Sequence, residues 1–154
     1  MDTKKQFTID EWFYDWLADE NKYKAAVKLF LRIHEICDKI ILKPGTRLAH
    51  KFYQLDEASG KWAPDQRNVV RLIKNLFLSN SEKIWWVYDE PVIAEEVEAR
   101  LPVKDVYLVK ICLQTTDKIL ITTDTTLYQN LLETKEDLGI TPIMLEDFLK
   151  EYLQ

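Results

Sequence analysis

Apolar residues recur along the chain in two alternating rhythms, short runs and stretches spaced three and four apart. Gln6-Phe-Thr-Ile9 is a β-like run that ends at Asp10, and residues 10–19, alternating aromatic and acidic groups, predict a helix. Ala26, Leu29, Phe30, Ile33, Ile36 and Cys37 share one helical face across 22–37. Lys39-Ile-Ile-Leu42 reads as an apolar strand stopped by Pro44-Gly45, and 46–55 returns to helix. Residues 56–65 predict the longest loop, with Trp62 pinning it to the body rather than acting as a lid. The clearest amphipathic helix is 66–78, with Val69, Leu72, Ile73, Leu76 and Phe77 on one face and Arg67, Arg71 and Lys74 on a solvated one.

Ile84-Trp-Trp-Val-Tyr88 reads as a strand or a hairpin edge, its two tryptophans facing opposite ways. A Glu-rich helix opens with Pro91 over 91–99. Next come a helix at 104–115, a buried strand at Ile119–Thr122 and a helix at 125–137 stopped by Gly139. Pro142-Ile-Met144 leads to a final helix at 145–153. Strands alternate with helices nearly throughout. That pattern predicts an α/β fold, a three-layer α/β/α sandwich with a mostly parallel central sheet, formed by 1–154 as a single domain.

Composition agrees with this picture. Only 3 glycines and 5 prolines occur among 154 residues, too few for a sandwich of many tight hairpins. Cys37 and Cys112 lie in apolar helical contexts and read as buried reduced thiols. The absence of CxxC and of a paired His34 or His50 disfavours a zinc site. No apolar run approaches the length of a bilayer span and no signal-like run follows Met1, so a soluble cytoplasmic protein without membrane partners is expected. The net charge of -5 excludes a generic electrostatic nucleic-acid binder, though not a nuclease built on carboxylates.

In open parallel sheets ligands sit outside the carboxyl ends of the strands. Asp10 follows the first strand, Asp124 follows the strand at 119–122, and Asp105 opens the helix before that strand. Each is also a good helix N-cap. Together, three carboxylates at strand–helix junctions form a hard-oxygen site suited to Mg²⁺ or Mn²⁺. Such a site can hold a nucleophilic water and neutralise a phosphate.

The stretch Pro102-Val-Lys-Asp-Val-Tyr-Leu-Val-Lys-Ile-Cys-Leu-Gln-Thr-Thr-Asp-Lys-Ile-Leu-Ile-Thr-Thr-Asp-Thr-Thr-Leu127 resembles the C-terminal signature of PIN domains. Ile140-Thr-Pro-Ile-Met-Leu-Glu-Asp-Phe-Leu149 is similar to the family's last strand and closing helix, and Phe7-Thr-Ile-Asp10 to its first strand and first metal aspartate. The resemblance spans about 50 C-terminal residues well and is looser before them. It implies a parallel sheet with a deep acidic pocket and metal-dependent RNA cleavage by in-line attack of water. Asp10, Asp105 and Asp124 would be the catalytic metal ligands, and Thr122 or Thr123 would hold a carboxylate or a phosphate oxygen. It further implies a ribonuclease that dimerises, or a toxin paired with a protein antitoxin.

Two positions depart from the family pattern. Glu11-Trp12 stands where small polar residues are usual, and His50, or Ala49, stands where a second acid is expected. Lys39–Gln54 contains no Asp or Glu, and imidazole binds Mn²⁺ but is a poor ligand for Mg²⁺. Glu11, Asp15, Glu95 or Glu96 could compensate. The alternative is a degenerate PIN-like scaffold that binds RNA or a protein without cleavage. A phospho-acceptor or phosphatase domain is disfavoured because no DxDx[TV] run occurs at Asp10. Nucleotide-binding and serine-hydrolase folds are disfavoured because G-x-G-x-x-G, G-x-x-x-x-G-K-[ST] and G-x-S-x-G are absent.

Overall fold

Five short apolar runs pair into one all-parallel sheet, as a chain with a helix between successive strands must. The computed structural model describes residues 5–35, 39–79 and 82–152. In order, the elements are β1 (Gln6–Ile9), α1 (Trp12–Ala18), α2 (Tyr23–Glu35), β2 (Lys39–Leu42), α3 (Arg47–Ala58), α4 (Pro64–Ile73), β3 (Ile84–Trp86), α5 (Glu95–Glu98), α6 (Val106–Leu113), β4 (Ile119–Thr122), α7 (Thr125–Glu133), α8 (Lys135–Leu138), β5 (Thr141–Met144) and α9 (Leu145–Tyr152). The strands lie in the order β3-β2-β1-β4-β5.

The chain therefore steps one way from β1 to β3, then crosses back to β4 and continues the other way. Right-handed crossovers in opposite directions place helices on opposite faces. The side chains agree. Ile40 and Leu42 join the large core beneath α1 to α4, whereas Ile41 packs with Val87 and Ile111 of α6. Alternation along β2 thus divides its residues between two helical layers, consistent with a helix–sheet–helix sandwich. α9 folds back so that Phe148 meets Phe7 edge-on, ring centroids 5.2 Å apart. The reversal of strand order falls between β1 and β4, where Ile9 is in register with Ile121. This is the switch point at which open α/β sheets present ligands.

Several elements differ from their expected bounds. The expected loop at 56–65 is mostly helical, because α3 runs to Ala58, a 3-10 turn spans Ser59–Lys61 and Pro64 opens α4. Trp62 does pin this junction, edge-on to Tyr14 at 5.9 Å. The buried stripe of α4 and its π-helical continuation (Lys74–Leu78) is Gln66, Val70, Ile73 and Phe77, while Leu72 is exposed. A polar residue holds a core position there, so apolar periodicity alone set the face one residue off. The helix expected at 104–115 begins as a 3-10 turn over Val103–Asp105 and then α6, and the one expected at 125–137 breaks at Thr134. Cys112 is buried, and burial pushes its thiol up to about 12, so it is an unreactive core group. Cys37 and Ile36 lie outside the described residues. Among the described residues no helix is long and apolar enough to cross a membrane.

Gln66 shows why a buried amide is worth its burial. Its Nε2 donates to the carbonyls of Leu17 (3.1 Å) and Ala18 (3.0 Å), and its Oε1 accepts from Ala63 N (3.2 Å). One side chain thereby satisfies carbonyls at the end of α1 and an amide at the start of α4. Gln66→Leu removes these bonds and leaves buried backbone groups unpaired. The variant is expected to lose roughly 1–3 kcal/mol of stability, read as a lower urea midpoint.

Candidate functional site

Each acid at the switch point is placed by the element it ends or begins. Asp10 leaves β1, and its amide still bonds to Ile121 O of β4 at 3.1 Å. Its Oδ1 accepts from Glu11 N at 2.6 Å and its Oδ2 from the Thr122 hydroxyl at 2.9 Å. Thr122, fully buried at the end of β4, also accepts from Asp124 N at 3.0 Å. One hydroxyl therefore bridges two of the three aspartates. Thr123 beside it is exposed.

The N-cap alternative separates the acids. Asp124 does cap α7, its Oδ1 accepting from Thr126 N (2.9 Å) and Leu127 N (3.3 Å), and its Oδ2 lies 3.7 Å from Lys104 Nζ. Asp105 does not cap α6: its carboxylate makes no capping bond. It is 4% exposed, and among the described residues nothing hydrogen-bonds its Oδ2. Asp10 caps no helix either, since Glu11 holds the N-cap position of α1.

The electrostatics follow from this crowding. Burial, and next the charge of Asp10, raise Asp105 to about 6, against the lowering pull of Lys104 and Arg47. Asp124 adds a smaller upward push. Asp10 is raised too, chiefly by burial, with Glu11 and Asp124 adding repulsion and its two hydrogen bonds opposing. The three acids thus act on one another.

Two cations border them. Arg47, the first residue of α3, donates from Nε to Glu11 Oε1 (2.7 Å) and from Nη2 to Lys104 O (2.8 Å). Tyr107 OH donates to the same Glu11 oxygen at 3.0 Å, and the Arg47 guanidinium lies over its ring, 5.2 Å from the centroid. Glu11 is therefore tied into an ion pair with Arg47. Trp12 turns inward, 4% exposed, its indole donating to Ile121 O at 3.2 Å. The bulky residue after the first acid belongs to the core.

His50 is exposed on α3, its Nε2 lying 2.9 Å from Gln54 Nε2. Ala49, the other candidate for the missing acid, is buried. Glu95 and Glu96 are exposed on α5, and the ion pair α5 makes with α6 runs from Glu98 to Lys110 at 4.0 Å. Asp15 is exposed on α1. The compensating acid nearest the aspartates is thus Glu11, adjacent to Asp10. Arg47, Lys104 and Tyr107 were missed from sequence. The signal for Arg47 was present, since it follows the Pro44-Gly45 turn at the carboxyl end of β2.

In chemistry the acids suit a hard divalent cation, because all donors are carboxylate oxygens and the orphaned Asp105 Oδ2 is an acceptor in need of a partner. In arrangement they stop short of it. Among the described residues no three of His, Cys, Asp and Glu stand close enough together to ligate one ion. Asp10 and Asp124 turn oxygens to backbone amides and Thr122 instead. No protein-family model matches the chain, and no curated protein sequence matches it.

Proposed function

We propose that the chain is a PIN-like ribonuclease that takes a divalent cation, Mg²⁺ or Mn²⁺, at Asp10, Asp105 and Asp124. The observation that supports this reading best is the unpartnered Oδ2 of the buried Asp105. An acid that caps nothing and is raised first by its burial and then by two neighbouring acids is a cost without structural return. Such groups concentrate at functional sites.

A cation bound there would supply a Lewis acid for a phosphate oxygen and a lowered pKa for water. Asp105 would be its principal holder. Asp10 and Asp124 would complete the site by turning oxygens away from Thr122 and from the first turn of α7, which hold them now. Arg47 and Lys104 offset the acids' charge, and a guanidinium and an ammonium so placed would attract a phosphodiester.

A second reading has its own support. His50, or Ala49, stands on α3 where the resemblance expects an acid, and Arg47 at the start of that helix is ion-paired with Glu11. A cation-bearing pocket of this kind fits a scaffold that binds RNA without cutting it. RNA cleavage in Mn²⁺ separates the two. The nuclease reading expects cleavage by the wild type and none by an Asp105→Asn plus Asp124→Asn double variant. Equal activity in both preparations would refute it.

Protons compete with the cation for Asp105. Because its folded pKa is about 6, Mn²⁺ affinity is expected to be level above that pH. Below it, affinity should fall by roughly tenfold per pH unit. Calorimetric titrations across this range provide the check, and a flat profile would exclude Asp105 as a ligand.

A further inference from the structure

A second feature lies beside the acids and plays no part in holding a cation. The carboxyl ends of β2 and β3 and the first two turns of α3 enclose a groove of about 650 Å³. That volume is within the usual range of small-molecule sites. Its walls include Arg47, His50, Tyr53, Trp86 and Tyr88. Tyr53 and Trp86 stand parallel, 8° between their planes and 6.3 Å between centroids. Tyr53 is 58% exposed and Tyr88 is 72% exposed.

Core packing accounts for the half-buried Trp86 but not for the exposed Tyr53 and Tyr88. Exposed aromatics gathered around one concavity mark interaction surfaces or ligand-binding grooves. Arg47 belongs to both features. It lines the groove, and its Nε holds the Glu11 that follows Asp10. Two of its nitrogens are fixed by Glu11 and Lys104 O, while the side chain stays 48% exposed, so its charge is set at the groove's edge. A planar, uncharged ring bearing an anion fits this pairing of aromatic wall and guanidinium.

We infer that the groove is a stacking subsite for an unpaired base of single-stranded RNA, whose phosphodiester passes Arg47 toward Asp10 and Asp105. The base stacks against the Tyr53–Trp86 pair, and Tyr88 closes over the other side. Stacking tolerates any base, so the site selects strandedness rather than sequence. It also answers the charge problem of a chain at -5, because affinity comes from ring contact and one placed cation rather than from a basic surface. The inference rests on the nuclease reading for its choice of RNA, but its test does not depend on cleavage.

The experiment is fluorescence anisotropy of a labelled single-stranded oligoribonucleotide and of its duplex, with the full chain in EDTA. Single-strand binding is expected to exceed duplex binding. Tyr53→Ala and Tyr88→Ala are each expected to weaken it roughly tenfold, and Tyr53→Phe to leave it near wild type. Both tyrosines are exposed, so the variants should retain the wild-type circular dichroism spectrum. No single-strand binding, equal duplex binding, or unchanged affinity in both alanine variants would overturn the subsite. Binding in EDTA without Mn²⁺-dependent cleavage would refute the nuclease reading alone. Cleavage that is indifferent to Tyr53 and Tyr88 would refute the subsite alone.

Discussion

Replacing Asp105 by asparagine is expected to do two opposite things, removing Mn²⁺-dependent RNA cleavage and making the metal-free protein more stable at neutral pH. The stability effect follows from the raised pKa. The unfolded chain titrates this carboxyl near 3.8 and the folded chain near about 6. Between those values the native state binds the extra proton, so stability falls as pH rises. Below both values the group is neutral in each state and costs nothing. Above about 6 the full penalty is present, roughly 3 kcal/mol at about 1.4 kcal/mol per pH unit. Asparagine copies the neutral form. Its advantage in urea titrations with EDTA should therefore be roughly 2–3 kcal/mol at neutral pH and vanish near pH 4. Cleavage should drop at least about 100-fold, since even loss of a group that only orients a metal ligand costs up to that much. A variant less stable than wild type at neutral pH would show that Asp105 is an ordinary structural acid.

Phe13→Ala is expected to be the most damaging single change to the fold itself. Phe13 of α1 is fully buried and stacks on Phe52 of α3, centroids 4.0 Å apart and planes 20° apart. Phe52 meets Phe30 of α2 edge-on at 6.4 Å, and Phe30 meets Phe77 at 5.3 Å. The four rings join three helices and the π-helical turn beneath one face of the sheet. Truncating the first leaves a cavity that its ring-shaped neighbours cannot fill by small shifts. A loss of about 3–5 kcal/mol is expected, against a total of about 5–15 for an ordinary domain. A markedly lower urea midpoint with unchanged slope would show it. A loss under about 1 kcal/mol would mean that the cluster is loosely packed.

The sheet was legible because its strands are short, apolar and separated by helical spacing, as in Lys39–Leu42 and Ile119–Thr122. Boundaries were less so where tertiary contacts decide them. Gln66 lies on the buried face because it bridges two helix ends, which no hydropathy rule can state. Thr134 interrupts the helix after β4 because it is buried and its hydroxyl bonds to Asn130 O at 2.8 Å.

The candidate site is legible in its position but not in its balance of charge. Asp10, Asp105 and Asp124 stand out because strand ends and helix starts mark the ligand edge of a parallel sheet. Whether an acid there is a cap depends on where its carboxylate turns, and that separates Asp124 from Asp105 only in three dimensions. Arg47 does not stand out in sequence because the chemistry of a hard-oxygen site picks out acids alone. The rule that picks out Asp10 after β1 applies equally to the residues after β2. A guanidinium there answers Glu11, and that pairing, more than His50, defines the corner where an acid was expected.

The most direct measurement is a calorimetric titration of Mn²⁺ into the wild type and Asp105→Asn at neutral pH. One ion per wild-type chain, with the heat lost in the variant, is the predicted result. Identical heats from both proteins, or no heat from either, would contradict a cation site at Asp10, Asp105 and Asp124.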